Sequence, residues 1–338
     1  MTVSGLQELS QLKTTPHRVI LHEQEFIMKK VLILGGAGFI GGNLARSLVK
    51  QGMSPRIYTR PTMSLSRIKD ISHQLDIVYG DFLDDIALDK ALQGIDTVFH
   101  LISTTFPSQT QKSGVYDLLS NLLPTIRLIE LCIDAGVKKI VYASSGGTIY
   151  GEPQFTPITE DHPCIPKSAY GQSKLTIENY LNFYERTTSI SFNILRISNP
   201  FGPGQHSWRT QGIVAVTIRS ILENQPLKVY DQGLTIRDYI FIDDVINALL
   251  LAARSPNSSV VNISSGQGYR TLDIIEKLEK ISSTQVVKEF IEGRVGDVSV
   301  NILSNQKARE IYNWQPKVSL DEGLEKTFQI AKTFYSSI

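Results

Sequence analysis

Only two cysteines, Cys132 and Cys164, occur in 338 residues. That excludes a disulfide framework, and neither thiol stands in a metal-ligand spacing, so no metal site is expected. A reduced, cytoplasmic setting fits this usage. No apolar run approaches the roughly 18 residues of a membrane span, and no membrane partner is expected. Charge of one sign is not in excess either. Lys and Arg number 34 against 33 Asp and Glu, a net +1, which argues against nucleic acid as a partner. An anionic ligand would have to be held by a few placed cations. Internal repeats, low-complexity tracts and long linkers are missing too. Residues 1–27 lack the apolar middle of a signal peptide. Met28-Lys29-Lys30 then leads into an apolar run, so folding is expected to begin near Met28. Residues 1–27 read as a poorly ordered extension, with a short docking helix as the alternative.

What is present is alternation. Val31–Leu34, Arg56–Tyr58, Asp76–Tyr79, Thr97–Leu101, Lys139–Ala143 and Phe192–Arg196 read as short strands. Asn43–Lys50, Ile86–Leu92, Leu118–Ala135 and Ser173–Tyr184 read as helices. Such alternation predicts an α/β fold: a Rossmann-type doubly wound parallel sheet covered on both faces, over residues 28–199. From Pro200 the pattern loosens, Gly202-Pro203-Gly204 breaks it, and Asp243–Arg254 and Leu320–Tyr335 read as helices. Residues 200–338 are expected to form mainly a smaller C-terminal α/β substrate-binding lobe, with some segments returning to the first domain.

The first strand ends in Gly35-Gly36-Ala37-Gly38-Phe39-Ile40-Gly41. Gly35 permits a tight turn, Gly38 lets a pyrophosphate approach the backbone, and Gly41 lets the helix pack close. The amides that open the helix suit phosphates. The second strand ends in Tyr58-Thr59-Arg60, where an acidic residue usually meets the ribose of NAD. Arg60 faces either the 2′-phosphate of NADP or the adenine ring, so NAD and NADP both stay open. Asp81, followed by Phe82 after the third strand, suits the adenine amino group or a simple loop cap.

Of 13 tyrosines, Tyr170 alone has a lysine four residues on, Lys174. On a helix the two share a face. An ammonium beside a phenol favours the phenolate. The tyrosine is then fitted to move a hydroxyl proton while a nicotinamide moves hydride.

Taken together, Gly35–Gly41, the Val98-Phe99-His100-Leu101 strand, Ser144-Ser145, Tyr150-Gly151 and the Tyr170/Lys174 pair resemble the extended short-chain dehydrogenases/reductases. Within them the chain is similar to the UDP-glucose 4-epimerase group of NAD-dependent epimerases/dehydratases, from about Lys29 onward. The resemblance implies nucleotide-sugar 4-epimerisation on bound NAD, with a nucleotide sugar as the substrate. Cofactor contacts are expected from Gly35, Gly38, Phe39, Ile40, Gly41, Arg60, Asp81, Phe82, Leu101, Tyr170 and Lys174. The resemblance also implies a homodimer through Leu118–Ala135 and Ser173–Tyr184, whose apolar residues packing on the sheet would explain equally well.

The family places a Ser or Thr on the reacting hydroxyl. Counting back from Tyr150 puts it at Gly146, and counting along the strand puts it at Ser145. Ser145 is preferred, because a strand fixes position better than a glycine loop, with Thr148 in reserve. Related 4,6-dehydratases carry an Asp-Glu pair where this chain has Gly147-Thr148, so a dehydratase is not expected. For the substrate, the resemblance points to Asn199, to Arg237 and Arg294 as a diphosphate clamp, and to Asp297. Asn301, where some relatives carry a bulky tyrosine, is expected to open the pocket to an N-acetylated sugar. Two other readings are an NADPH-dependent sugar-nucleotide reductase or dehydrogenase, suggested by Arg60, and a non-catalytic dinucleotide-binding sensor or scaffold.

Overall fold

Val31-Leu32-Ile33-Leu34 is buried on both faces, as a central parallel strand must be. It forms β1 of the computed structural model, which describes residues 26–105, 114–205, 212–293 and 296–336. The expected N-terminal extension therefore lies almost wholly outside the described residues. Five further strands follow in the first part: β2 (Arg56–Thr59), β3 (Asp76–Tyr79), β4 (Thr97–His100), β5 (Lys139–Ser145) and β6 (Ser191–Ile197). Beyond them come β7 (Asn199–Phe201), β8 (Leu227–Tyr230), β9 (Ile236–Phe241), β10 (Ser259–Ile263), β11 (Gly268–Arg270), β12 (Lys288–Ile291) and β13 (Val300–Asn301).

Seven strands make one parallel sheet in the order β3-β2-β1-β4-β5-β6-β10. Chain direction across the sheet reverses between β1 and β4, and the crevice above their carboxyl ends is where such sheets take ligands. The pleat sends alternate residues to opposite faces. Val31, Ile33, Phe99 and Val141 join one buried cluster, and Leu32, Leu34, Val98 and Tyr142 join another. The seventh strand, β10, comes from beyond residue 200 and pairs with β6.

Helix boundaries differ from the sequence reading for local reasons. The first helix, α1, starts at Phe39 and runs to Lys50. The second, α2, spans Asp85–Leu92 and is capped by Asp84, whose carboxylate accepts from Ala87 N–H. The predicted 118–135 helix is divided into α3 (Gly114–Asp117), a π-helical turn (Leu118–Leu122) and α4 (Leu123–Asp134). Pro124 has no N–H to give the preceding turn, and a widened turn is one relief. The next helix, α5, covers Ala169–Thr187, four residues longer at its start than expected. Ser168 caps it, accepting from Gly171 N–H at 3.1 Å, so Tyr170 lies in the first turn.

The second lobe holds a sheet in the order β11-β9-β13 with β7 on β9, and a β8–β12 pair. Asn43 of α1 donates to Pro203 O (3.1 Å), and Arg67 donates to Gly204 O (2.6 Å) and Ala37 O (3.2 Å). These bonds fasten the Gly202–Gly204 segment to the glycine-rich turn.

Candidate active site

The glycine-rich turn is shaped by what a side chain would strike. Gly35 has φ +82°, and a Cβ at Gly41 would lie 2.3 Å from Gly35 O. The helix therefore seats directly on the turn. The first intrahelical bond is Gly42 N–H to Gly38 O (2.9 Å), which leaves the amides of Phe39, Ile40 and Gly41 ahead of the ladder. This is a cradle for a pyrophosphate, and its residues fit a dinucleotide. Leu101 continues β4 beside it, its N–H bonding Leu34 O at 3.1 Å. Phe82 is buried and tilts against His100, with centroids 5.4 Å apart. Asp81 is exposed and caps its own loop, accepting from Leu83 N–H at 3.0 Å. Arg60 is exposed just past β2, and its backbone carbonyl accepts from Met63 N–H (3.0 Å).

The sheet's carboxyl edge also carries the residues expected to transfer protons. Ser145 ends β5, and its side chain and that of Ser103 both hydrogen-bond the Tyr170 phenol. Lys174 lies one turn along α5. Its Nζ donates to Ala143 O (2.9 Å) and sits 4.7 Å from the Tyr142 ring centroid and 5.7 Å from that of Tyr170. Burial lowers the lysine to about 8, opposed by the charges of Asp117 and Glu178. Burial raises the phenol to about 12, opposed by the bonds to Ser145 and Ser103. The expectation of a phenol made acidic by its lysine is thus corrected. The ammonium is aimed at Ala143 O, and desolvation of the phenol outweighs it.

The two counts for the third residue are separated by packing. A Cβ at Gly146 would meet Leu303 Cδ1 at 2.3 Å and Arg196 O at 2.9 Å, so that position has no room for a side chain. Thr148 also faces the cavity, but its buried Oγ1 finds no partner among the described residues.

A cavity of about 810 Å³ opens beside this group. Its walls bring together Ser145, Thr148, Tyr170, Asn199, Arg237 and Asp297. Asn199 donates to Asp238 O (3.0 Å). Arg237 donates to Ile236 O (2.9 Å); burial lowers it, with Asp297 foremost among the charges that oppose this. Arg294 lies outside the described residues. Asn301 is a correction: it is fully buried, donates to Gly146 O (3.1 Å) and is not part of the cavity wall. It shapes the loop beneath the site, so the size argument drawn from it has no footing.

Four contributors went unread. Ser103 lies on the irregular stretch after β4, with no periodicity to mark it. Lys228 and Tyr230 line the cavity from β8, where they look like an ordinary strand. Asp238 is fully buried and accepts from Ser265 N–H (2.8 Å), Ser265 Oγ (2.8 Å) and Gly266 N–H (3.0 Å), pinning loops around the Arg237 strand. Its position inside the Arg237-Asp238-Tyr239 run was the available signal. Behind the site, Glu178 of α5 and Arg196 of β6 form a buried ion pair (2.7 Å) that Ser144 also joins.

Among the described residues no helix is long and apolar enough to cross a membrane, and both cysteines are free. The chain is 30% identical over 307 residues to a UDP-glucose 4-epimerase of Mycolicibacterium smegmatis, covering 89% of this chain and 97% of that one. It is also 30% identical over 303 residues to a dTDP-4-dehydro-6-deoxyglucose reductase of Escherichia coli, covering 88% and 95%. A crystal structure of a UDP-glucose 4-epimerase with UDP-glucose, from Thermotoga maritima, superposes with a TM-score of 0.86 at 29% identity, covering 90% of this chain and 99% of that one. Residues 31–264 match the NAD dependent epimerase/dehydratase family, which includes β1 and the turn as well as the Tyr170–Lys174 pair, and the chain belongs to that family.

Proposed function

We propose that the protein is a nucleotide-sugar 4-epimerase, of the UDP-glucose or UDP-N-acetylglucosamine type. The observation that carries this reading is the Tyr170 phenol, bonded to Ser145 and Ser103, on the wall of a cavity that also bears Arg237. Bound NAD supplies a reversible hydride acceptor. Tyr170 takes the proton of the C4 hydroxyl, and Ser145 orients that hydroxyl by hydrogen bonding. Lys174, charged at neutral pH, stabilises the phenolate form of Tyr170 that receives this proton. Arg237 and Asn199 hold the diphosphate and sugar. Once the sugar has turned over as the 4-ketone, Tyr170 returns the proton to the C4 oxygen, and hydride from the bound cofactor would reach the opposite face of C4. No external reductant is consumed. No acidic pair stands at Gly147-Thr148 to drive loss of water.

The test is incubation of purified protein with UDP-glucose and UDP-N-acetylglucosamine, without added reductant, followed by NMR. Appearance of the C4 epimer supports the reading. No epimer, with stoichiometric loss of NADPH when that is supplied with a 4-keto sugar nucleotide, favours a reductase. Arg60, exposed just past β2, is the observation behind that second reading.

A second copy of the chain is the proposed partner. Val115, Tyr116, Leu118, Leu119 and Leu123, from α3 to α4, and Phe183 of α5 are all exposed. A contiguous apolar surface of this kind suits a dimer, and light scattering of the purified protein tests it. Two free thiols support a cytoplasmic setting.

A further inference from the structure

The π-helical turn sorts its surroundings sharply. Val115, Tyr116, Leu118 and Leu119 face outward, while Asp117, Ser120 and Asn121 face inward. Asp117 is fully buried. One carboxylate oxygen accepts from Thr105 Oγ1 and from Asn121 Nδ2 (3.1 Å). The other has no partner among the described residues. A buried carboxylate with one bare oxygen is costly and needs a compensating charge. None of the proton-transfer steps above uses it.

Asp117 lines a small chamber, about 10 Å³, together with His100, Tyr142, Tyr170, Ser173 and Lys174. The chamber touches the main cavity through Tyr170, which lines both. His100 Nδ1 and Tyr142 Oη are likewise buried without partners. Among the described residues, the only cation on the chamber wall is Lys174. The groups facing Lys174 are Asp117 from α3, Glu178 and Tyr170 from its own helix, Tyr142 from β5 and His100 from β4. Glu178 is engaged with Arg196. His100 is neutral, pushed down to about 3 by burial and by the lysine's charge.

We propose that Asp117 is a positioning residue for the proton-transfer pair: its carboxylate, lining one chamber with Lys174 and Tyr170, holds the lysine as ammonium and opposes ionisation of the phenol. The two effects share one sign, because an anion favours a neighbouring cation and disfavours a second anion. Asp117 opposes the loss of charge from Lys174 and raises Tyr170. It therefore sets the pH range over which Lys174 stays charged and above which Tyr170 ionises. The inference rests on reading Tyr170 and Lys174 as that pair.

The test uses the full chain with Asp117→Asn, nearly isosteric and uncharged. Lysines labelled with ¹³C at the ε carbon are titrated by NMR, and the Lys174 signal is assigned by its absence in Lys174→Met. The expected result is a midpoint lower by about one pH unit or more. Tyr170, followed by ultraviolet difference titration against Tyr170→Phe, ionises at lower pH in the same variant. Asp117→Glu restores the charge and moves both midpoints back. An unmoved Lys174 midpoint in folded Asp117→Asn overturns the proposal. If Asp117→Asn does not fold, Asp117→Glu decides: a Lys174 midpoint within a few tenths of wild type supports it, and one lowered by a unit despite the retained charge overturns it. These titrations do not need turnover. Shifted midpoints in a protein without epimerase activity would leave this inference standing and remove the proposed reaction.

Discussion

Removing one partner of the Glu178–Arg196 pair is expected to be far more damaging than removing both. The side chains are 2% and 9% exposed, and Arg196 approaches both carboxylate oxygens, with Nη2 at 2.7 Å and Nε at 3.1 and 3.3 Å. Arg196→Met leaves Glu178 buried beside Ser144 with no countercharge. Such an uncompensated ion costs about 3–5 kcal/mol, whereas replacing a buried pair by apolar residues is often neutral. Glu178→Leu combined with Arg196→Met should therefore recover most of that loss. The recovery is incomplete, because Tyr150 Oη and Glu160 O, which Arg196 bonds at 3.0 Å each, lose a donor. Urea unfolding followed by circular dichroism and by tryptophan fluorescence measures Arg196→Met, Glu178→Leu and the double variant. A single substitution costing less than about 1 kcal/mol, or a double no more stable than Arg196→Met, would refute the reasoning. The pair ties α5 to β6, so activity of the double variant also tells whether fixing Tyr170 in place needs charge or only packing.

Tyr170→Phe should lower kcat about 10²–10⁴-fold, with an unchanged circular dichroism spectrum and unchanged cofactor content of the purified protein. Gly41→Ala places a methyl group 2.3 Å from Gly35 O, and cofactor retained through gel filtration should fall, with about 1–3 kcal/mol lost in urea unfolding. Lys174 gives stability and activity opposite pH trends. Burial lowers it from 10.5 to about 8, so between those values the folded chain binds fewer protons than the unfolded one and stability rises with pH. The ammonium that assists Tyr170 disappears over the same range, so kcat should fall above about pH 8. Lys139, also held at about 8 by burial, adds to the stability trend alone. Comparing unfolding of Lys174→Met with wild type at pH 8 and pH 10 isolates the lysine's share.

The nucleotide turn was legible because its signal is local: a strand, a tight turn and a helix lie within Val31–Lys50. Tyr170 and Lys174 were legible because helical spacing brings them together without help from the rest of the chain. Positions set by distant contacts were not. Gly146 has no space because Leu303 packs on it, which counting from Tyr150 cannot reveal. Asn301 reads as a pocket residue by position, yet its amide serves Gly146 O across 155 residues of chain. Lys228 and Tyr230 reach the cavity only because β8 packs beside Arg237's lobe. The divided helix at Leu118–Leu122 was also hidden, since its apolar residues suit a continuous helix equally well.

The strand β10 has a consequence for how the protein can be cut. It is drawn from residues 259–263, yet it covers the outer edge of β6. A fragment ending near residue 199 would retain the dinucleotide cradle but leave five residues of β6 as an open template for any passing strand. Severing the two lobes there would yield a sticky remnant, not a stand-alone binding module, so the C-terminal half must be synthesised before the other half can close.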